Sequence, residues 1–241
     1  MSVTSSSLLD LHAPRGVSRS RSRFFLWAAI ALALIVLIGF TKSYLDRLAR
    51  GETTLTPLVH IHAAVMAGWF ALFVGQAVLV GARRPDLHRK LGIVGIGVAL
   101  ALLVTCFMVT WHAAVVEVAQ NQEVLFRMIL GFNGLSLIVF ASAFGTAIAL
   151  RRRPDVHKRF MLLASLGLLG PAFGRLIQNP YLVISAVNAT ILLCMAIDTV
   201  RNRRLHPVFA WFGVPLIGLY YWAVWAIQTP TWIRLATALV S

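Results

Sequence analysis

PLVHIHAAVMAGWFALFVGQAVLVGARRPDLHRK, residues 57–90, is the stretch that decides how this chain folds. Its apolar run is long enough, at 1.5 Å per helical residue, to cross a hydrocarbon core of about 30 Å. His60 and His62 stand at one end of the run, Trp69 and Gln76 lie further along, and a basic turn closes it. That turn, Arg83-Arg84-Pro85-Asp86-Leu87-His88-Arg89-Lys90, returns as Arg152-Arg153-Pro154-Asp155-Val156-His157-Lys158-Arg159. Each copy leaves one apolar run and opens the next. A helix pair is therefore repeated in one orientation, the second and third runs matching the fourth and fifth. The match fades inside the runs, where Ile129 and Gly131 stand in place of His60 and His62.

Outside this stretch the same pattern continues. The 241 residues are 59% hydrophobic and only 12% charged, whereas soluble domains carry about a quarter charged residues. Apolar runs fall at residues 24–40, 57–82, 90–112, 124–150, 159–176, 182–200 and 208–227. They predict an all-α, polytopic membrane bundle with seven transmembrane helices, occupying residues 23–228. Residues 1–22, rich in Ser and Arg, predict a disordered cytoplasmic tail. The first run reads as an uncleaved signal anchor, since it is long and no small-residue cleavage site follows. Residues 229–241 predict a short outer interfacial segment, with Trp232 and Arg234 suited to the headgroup level. Tyr220, Tyr221, Trp222 and Trp225 predict an aromatic belt at the outer interface.

The net charge of +14 would suggest nucleic acid in a soluble protein. Here the cations are sorted by loop. Arg83, Arg84, Arg89 and Lys90, then Arg151 to Arg153 with Lys158 and Arg159, then Arg201, Arg203 and Arg204 all fall on one side. The other side holds Lys42, Arg47, Arg50 and Arg234. The positive-inside rule accounts for this and sets nucleic acid aside as a partner. It predicts a cytoplasmic N-terminus and, after an odd number of crossings, a periplasmic C-terminus. Cys106 and Cys194 sit in apolar runs without CxxC or metal-ligand spacing and read as packed thiols.

The histidines form two sets. Ionisable residues inside membrane helices are costly, so each is a functional candidate. In the outer set, His60 and His62 point about 200° apart and cannot both hold one ion from a regular helix. His62 shares a face with Trp69 and Gln76 and is expected to face the bundle. If the second and third helices form a hairpin, His62 could meet His112, a geometry suited to haem b or a metal ion. The alternative is interfacial histidines bonded to backbone or amide groups. In the inner set, His88, His157 and His206 lie near Asp86, Asp155 and Asp198. Arginine anchors, proline stops and an Asp cap account for most of this motif. The functional alternative is three histidines converging on a metal, or Arg and His gripping an anionic group. His88 and His112 bracket one helix, roughly 36 Å apart along its axis, so a two-haem wire is disfavoured and a single centre survives.

Arg127, Asn133, Ser136 and Asn188 are further polar residues inside the runs. Arg175 follows Gly170-Pro171 and Gly174, which predicts a kinked fifth helix that presents it near the outer end. It is expected to pair with Glu117 or Glu123, or to hold a carboxylate. Asp198 is expected to pair with Arg201 or Arg204. No HExxH, Walker A, GxSxG or histidine-box series appears, so the question of enzyme activity stays open.

HIHAAVMAGWFALFVGQAVLV, LHRKLG, RRPDVHKRFMLLASLGLLGPAFGR and DTVRNRRLHP together resemble a group of bacterial multi-pass inner-membrane proteins with HxH, RRPDxH and RLHP motifs and no assigned activity. The resemblance covers nearly the whole chain after the N-terminal tail. It implies the architecture and points to His60 or His62, Gln76, His88, His157, Arg175, Asp198, Arg204 and His206. The functional expectation is an inner-membrane protein with haem b or a transition metal, acting in electron transfer or respiratory-complex assembly. Its expected partners are the lipid bilayer and a respiratory complex or a second copy of the chain. The alternatives are a small-molecule or lipid transporter with a polar cavity around Gln76, Asn133 and Asn188, and a non-catalytic scaffold.

Overall fold

The computed structural model describes residues 19–51, 56–119, 123–177 and 179–240. Most of the expected N-terminal tail lies outside the described residues. The first helix, α1 (Arg19–Phe40), begins four residues earlier than the charge pattern suggests. Among the described residues every regular element is helical. A π-helical turn at Thr41–Leu45 carries α1 into α2 (Asp46–Ala49). Then follow α3 (Pro57–Gly81), α4 (Pro85–Ala119), α5 (Glu123–Ala149), α6 (Pro154–Gly167), α7 (Gly170–Leu176) and α8 (Pro180–Asn202). A second π-helical turn, Phe209–Gly213, opens α9 (Val214–Ala226), and α10 (Pro230–Val240) ends the chain.

Six helical stretches are long and apolar enough to cross a membrane: α1 with its extension, α3, α4, α5, α8 and the stretch from Phe209 to Ala226. The chain is a multi-pass, all-α membrane bundle. Its outward faces are as apolar as its interior; Ile93, Val104, Phe107, Ile138 and Trp211 all lie exposed. A helix that is apolar all round needs lipid, or more protein, around it. The α4 helix, at 35 residues, is roughly 52 Å long and must tilt or project beyond the hydrocarbon.

Packing follows chain order. Neighbouring helices from α3 through α6 pack in sequence, and α1 lies against α3, α6, α7 and α8. Trp69 of α3 sits edge-on to Phe140 and Phe144 of α5, with ring centres 5.0 and 5.5 Å away. His62 and Trp69 are buried and Gln76 is half-buried, so the α3 stripe faces inward as its spacing predicts.

The fifth apolar run is two helices, not one kinked helix. It breaks at Leu168-Leu169, just before Gly170-Pro171. Proline has no N–H to give the carbonyl four residues back, which here is Gly167. The buried Tyr220 hydroxyl donates to that carbonyl instead, at 3.3 Å. An unsatisfied carbonyl costs several kcal/mol in hydrocarbon, so Tyr220 makes the break tolerable. This corrects the belt reading for Tyr220, although Tyr221, Trp222 and Trp225 remain exposed.

Candidate functional site

The two copies of RRPDxH close through different backbone turns. In the first, Arg83 takes a left-handed conformation with φ 56°, and the Arg84 N–H reaches the Leu79 carbonyl at 3.0 Å. In the second, Arg153 is the N-cap with φ −110° and makes no side-chain cap bond. Asp155 does not cap the helix. It sits in the first turn of α6, where the helix dipole favours it, and it pairs with Lys158 at 2.7 Å and Arg159 at 2.8 Å.

Despite the unlike turns, the two motif histidines meet. The rings of His88 and His157 stand 6.4 Å apart, centre to centre, at 87°. His157 Nδ1 is 2.8 Å from the Ala147 carbonyl. A carbonyl only accepts, so Nδ1 carries the proton and Nε2 is left as a bare lone pair. His88 Nδ1 is buried and has no partner. Gln76 donates through Nε2 to the His88 carbonyl at 3.2 Å, while its Oε1 is buried and unpartnered. Buried polar atoms without partners are rare enough to need an explanation, commonly an ion or a water. Metal-bound histidines characteristically donate their other N–H to a backbone carbonyl, as His157 does. Two imidazoles and an amide oxygen are donor types that transition metals accept.

His206 does not join this pair. Its Nε2 lies 3.0 Å from Asp155 Oδ2, and its Nδ1 accepts the Val208 N–H at 3.2 Å. Those two bonds fix the neutral tautomer with the proton on Nε2. Among the described residues no group of three or more His, Cys, Asp or Glu is placed to hold a metal. The expected convergence of His88, His157 and His206 is thus reduced to two histidines and Gln76. Burial and the nearby Arg159 cation push the His206 imidazole below its ordinary value, against the pull of Asp155 and Asp198.

The sign of the pH dependence follows. The folded protein binds fewer protons at His206 than the unfolded chain does, so stability rises with pH across that window. The stabilisation is complete above about pH 6.5, the ordinary histidine value, and is lost as the pH falls toward the lower folded-state value. The thermal midpoint of the wild-type protein is expected to drop between about pH 7 and pH 5.5 more steeply than that of His206→Gln. Parallel slopes in the two proteins would reject this account.

Next to His206 lies a group that sequence reasoning paired wrongly. Asp198 does not meet Arg201 or Arg204. It accepts from Arg159, with Nε to Oδ2 at 2.9 Å and Nη2 to Oδ1 at 3.0 Å. Both side chains are almost fully buried. The available signal was that a lone Asp in an apolar helix needs a buried cation, and Arg159 opens an apolar run on the same inner side as Asp198. Asp155, Arg159, Asn202, Arg204 and His206 line a cavity of about 40 Å³, room for a few waters. This cavity lies at the inner end of the bundle.

The outer set comes together differently from expectation. His62 is buried, and its Nδ1 lies 3.2 Å from Thr105 Oγ1. His112 is two turns beyond Thr105 on α4, about 10 Å along the axis, and is exposed. The structure therefore does not bring His62 and His112 together. His60 points away and bonds the Tyr44 hydroxyl, which the π-helical turn of α1 presents. Arg175 lies over the Phe40 ring at 5.0 Å and donates to the Pro171 carbonyl at 2.9 Å. Its expected partners, Glu117 and Glu123, have side chains outside the described residues. Cys106 and Cys194 are free and buried, as their reading as packed thiols requires.

No protein family, curated protein or solved structure matches this chain.

Proposed function

We propose that this chain is a seven-span protein of the bacterial inner membrane that holds a transition-metal centre between His88 and His157 at its cytoplasmic edge. The observation that carries this reading is the meeting of those two imidazoles, with His88 Nδ1 and Gln76 Oε1 buried and lacking partners and His157 held through Nδ1 by the Ala147 carbonyl. Imidazole nitrogen with one amide oxygen suits zinc, copper or haem iron. Such a centre keeps open coordination positions, which suits electron transfer or metal delivery during assembly of a respiratory complex.

The seventh span is the broken pair α6 and α7. Its beginning meets Asp198 and His206. Its end meets Gly39 and Phe40, at the opposite end of α1. Lys158 and Arg159 stand over Phe25, near the start of α1. These contacts support a full crossing, and with the cation-rich loops inside they favour a cytoplasmic N-terminus and a periplasmic C-terminus.

The test is a reduced-minus-oxidised visible spectrum and metal analysis on one sample of protein purified in mild detergent. The centre is expected to disappear in His88→Ala and His157→Ala and to survive in His62→Ala and His112→Ala. The opposite pattern would move it to the outer face. A helical protein that takes up no copper, zinc or haem on reconstitution would sink the proposal.

A further inference from the structure

Two residues other than glycine have a left-handed backbone among the described residues. Both are arginines that end helices on the cation-rich side: Arg83, after α3, with φ 56°, and Arg203, after α8, with φ 54°. In that region an L-residue presses its Cβ toward the following carbonyl oxygen, so glycine is the usual occupant of such a helix end. The helix dipole does not account for arginine at 203, because it favours a cation anywhere in the last turn, and Arg201 already stands there. A strained backbone beneath an exposed side chain points to a use for that side chain.

Arg203 also adjoins a cavity. Its neighbours Asn202 and Arg204 line the space of about 40 Å³ together with Asp155, Arg159 and His206. The two carboxylates at this end are already engaged. Asp155 meets Lys158, Arg159 and His206, and Asp198 holds Arg159. Arg203 and Arg204 are exposed, so the excess of positive charge lies at the cavity's mouth. The surface beside them turns apolar at once, with Leu205, Val200 and Trp211 all exposed. A basic pocket at a membrane edge, bordered by apolar helix faces, matches the two halves of an anionic phospholipid.

We infer that Arg203 and Arg204, with the cavity behind them, bind the phosphate of an anionic phospholipid in the leaflet that the cation-rich loops face. The phosphate rests against the two guanidiniums, where charge-assisted hydrogen bonds are strong. Its oxygens take the place of waters in the cavity, and its acyl chains meet the apolar surface beside the loop. The site uses neither His88 nor His157 and does not depend on a metal there.

The test uses the full chain, taken from vesicles of phosphatidylcholine with phosphatidylglycerol into mild detergent and examined for bound lipid by native mass spectrometry. Phosphatidylglycerol is expected to be retained over phosphatidylcholine. Arg203→Gly and Arg204→Gln are each expected to weaken that retention about fivefold, the share of one Lys or Arg near a charged membrane surface. Arg203→Gly should at the same time raise the thermal midpoint, because glycine relieves the left-handed backbone. Arg83→Gly is the control: it removes one cation and the same strain, so it should raise the midpoint and leave the retained lipid unchanged. Equal losses of lipid in Arg83→Gly and Arg203→Gly would mean that a diffuse surface charge holds the lipid, and would overturn the inference. So would an absence of preference for phosphatidylglycerol, or a fall in midpoint in Arg203→Gly. A thermal response to inorganic phosphate without retention of phosphatidylglycerol would assign the pocket to a free anion and overturn the lipid. If Arg204→Gln does not fold, the comparison of Arg203→Gly with Arg83→Gly still decides.

Discussion

Asp198→Ala is expected to destabilise the bundle by about 3–5 kcal/mol, the cost of stripping a buried ion pair of one partner. Arg159 and Asp198 have only 2% and 3% of their side-chain surface exposed. Alanine would leave the guanidinium in that setting with Asp155 as its remaining carboxylate. Asp155 is 58% exposed, and an exposed partner recovers little. The pair also joins α6 to α8, so the loss is not local. Thermal and denaturant unfolding in mild detergent reads the effect. Asp198→Asn, which keeps the shape and one acceptor, should lose less. Arg159→Met combined with Asp198→Leu should recover most of the loss, because apolar replacement of a whole buried pair is often neutral or stabilising. A single-variant cost below about 1 kcal/mol, as for a surface pair, would mean that the pair does not hold these helices.

This pair also shows where the chain could be read directly and where it could not. The membrane class came from run length and apolarity, which depend on local composition alone. The inward face of α3 came from spacing, since His62, Trp69 and Gln76 repeat at seven residues. Partners across the bundle depend instead on the rotation and depth of two helices, and neither is written locally. Asp198 was matched with Arg201 and Arg204 because they are close in sequence, yet its partner lies on another helix. His62 was matched with His112 by assuming a shared depth, while Thr105, two turns deeper, is what it meets. The meeting of His88 and His157 was within reach, because a repeat that opens two helices on one side sets both histidines at one depth. The three-histidine reading overshot only because His206 bonds Asp155 and Val208 instead.

Gly39→Ala is expected to cost about 1–3 kcal/mol, as overpacking does in a close-packed core. A Cβ at Gly39 would stand 2.8 Å from the Ala172 carbonyl oxygen, 3.1 Å from its Cα and 3.2 Å from its carbonyl carbon. All three atoms are backbone, so no rotamer change can relieve the contact and α7 must move away from α1. Membrane helices approach this closely only where a small residue permits it. Gly131→Ala is the control. Its Cβ would come within 2.6 Å of Ile227 Cγ2, a side-chain methyl and not backbone, so the side chain of Ile227 can yield at smaller cost than a helix backbone can. Unfolding of both variants in the same detergent should therefore rank Gly39→Ala well below Gly131→Ala, and equal losses would reject the close approach of α1 and α7. The same shift reaches Arg175, one helical turn from Ala172, because Phe40 adjoins Gly39. Moving α7 takes the guanidinium off the Phe40 ring, while the centre proposed at His88 and His157, toward the other end of α1, should be unaffected. Loss of metal uptake in Gly39→Ala would mean that the two ends of the bundle are coupled through α1.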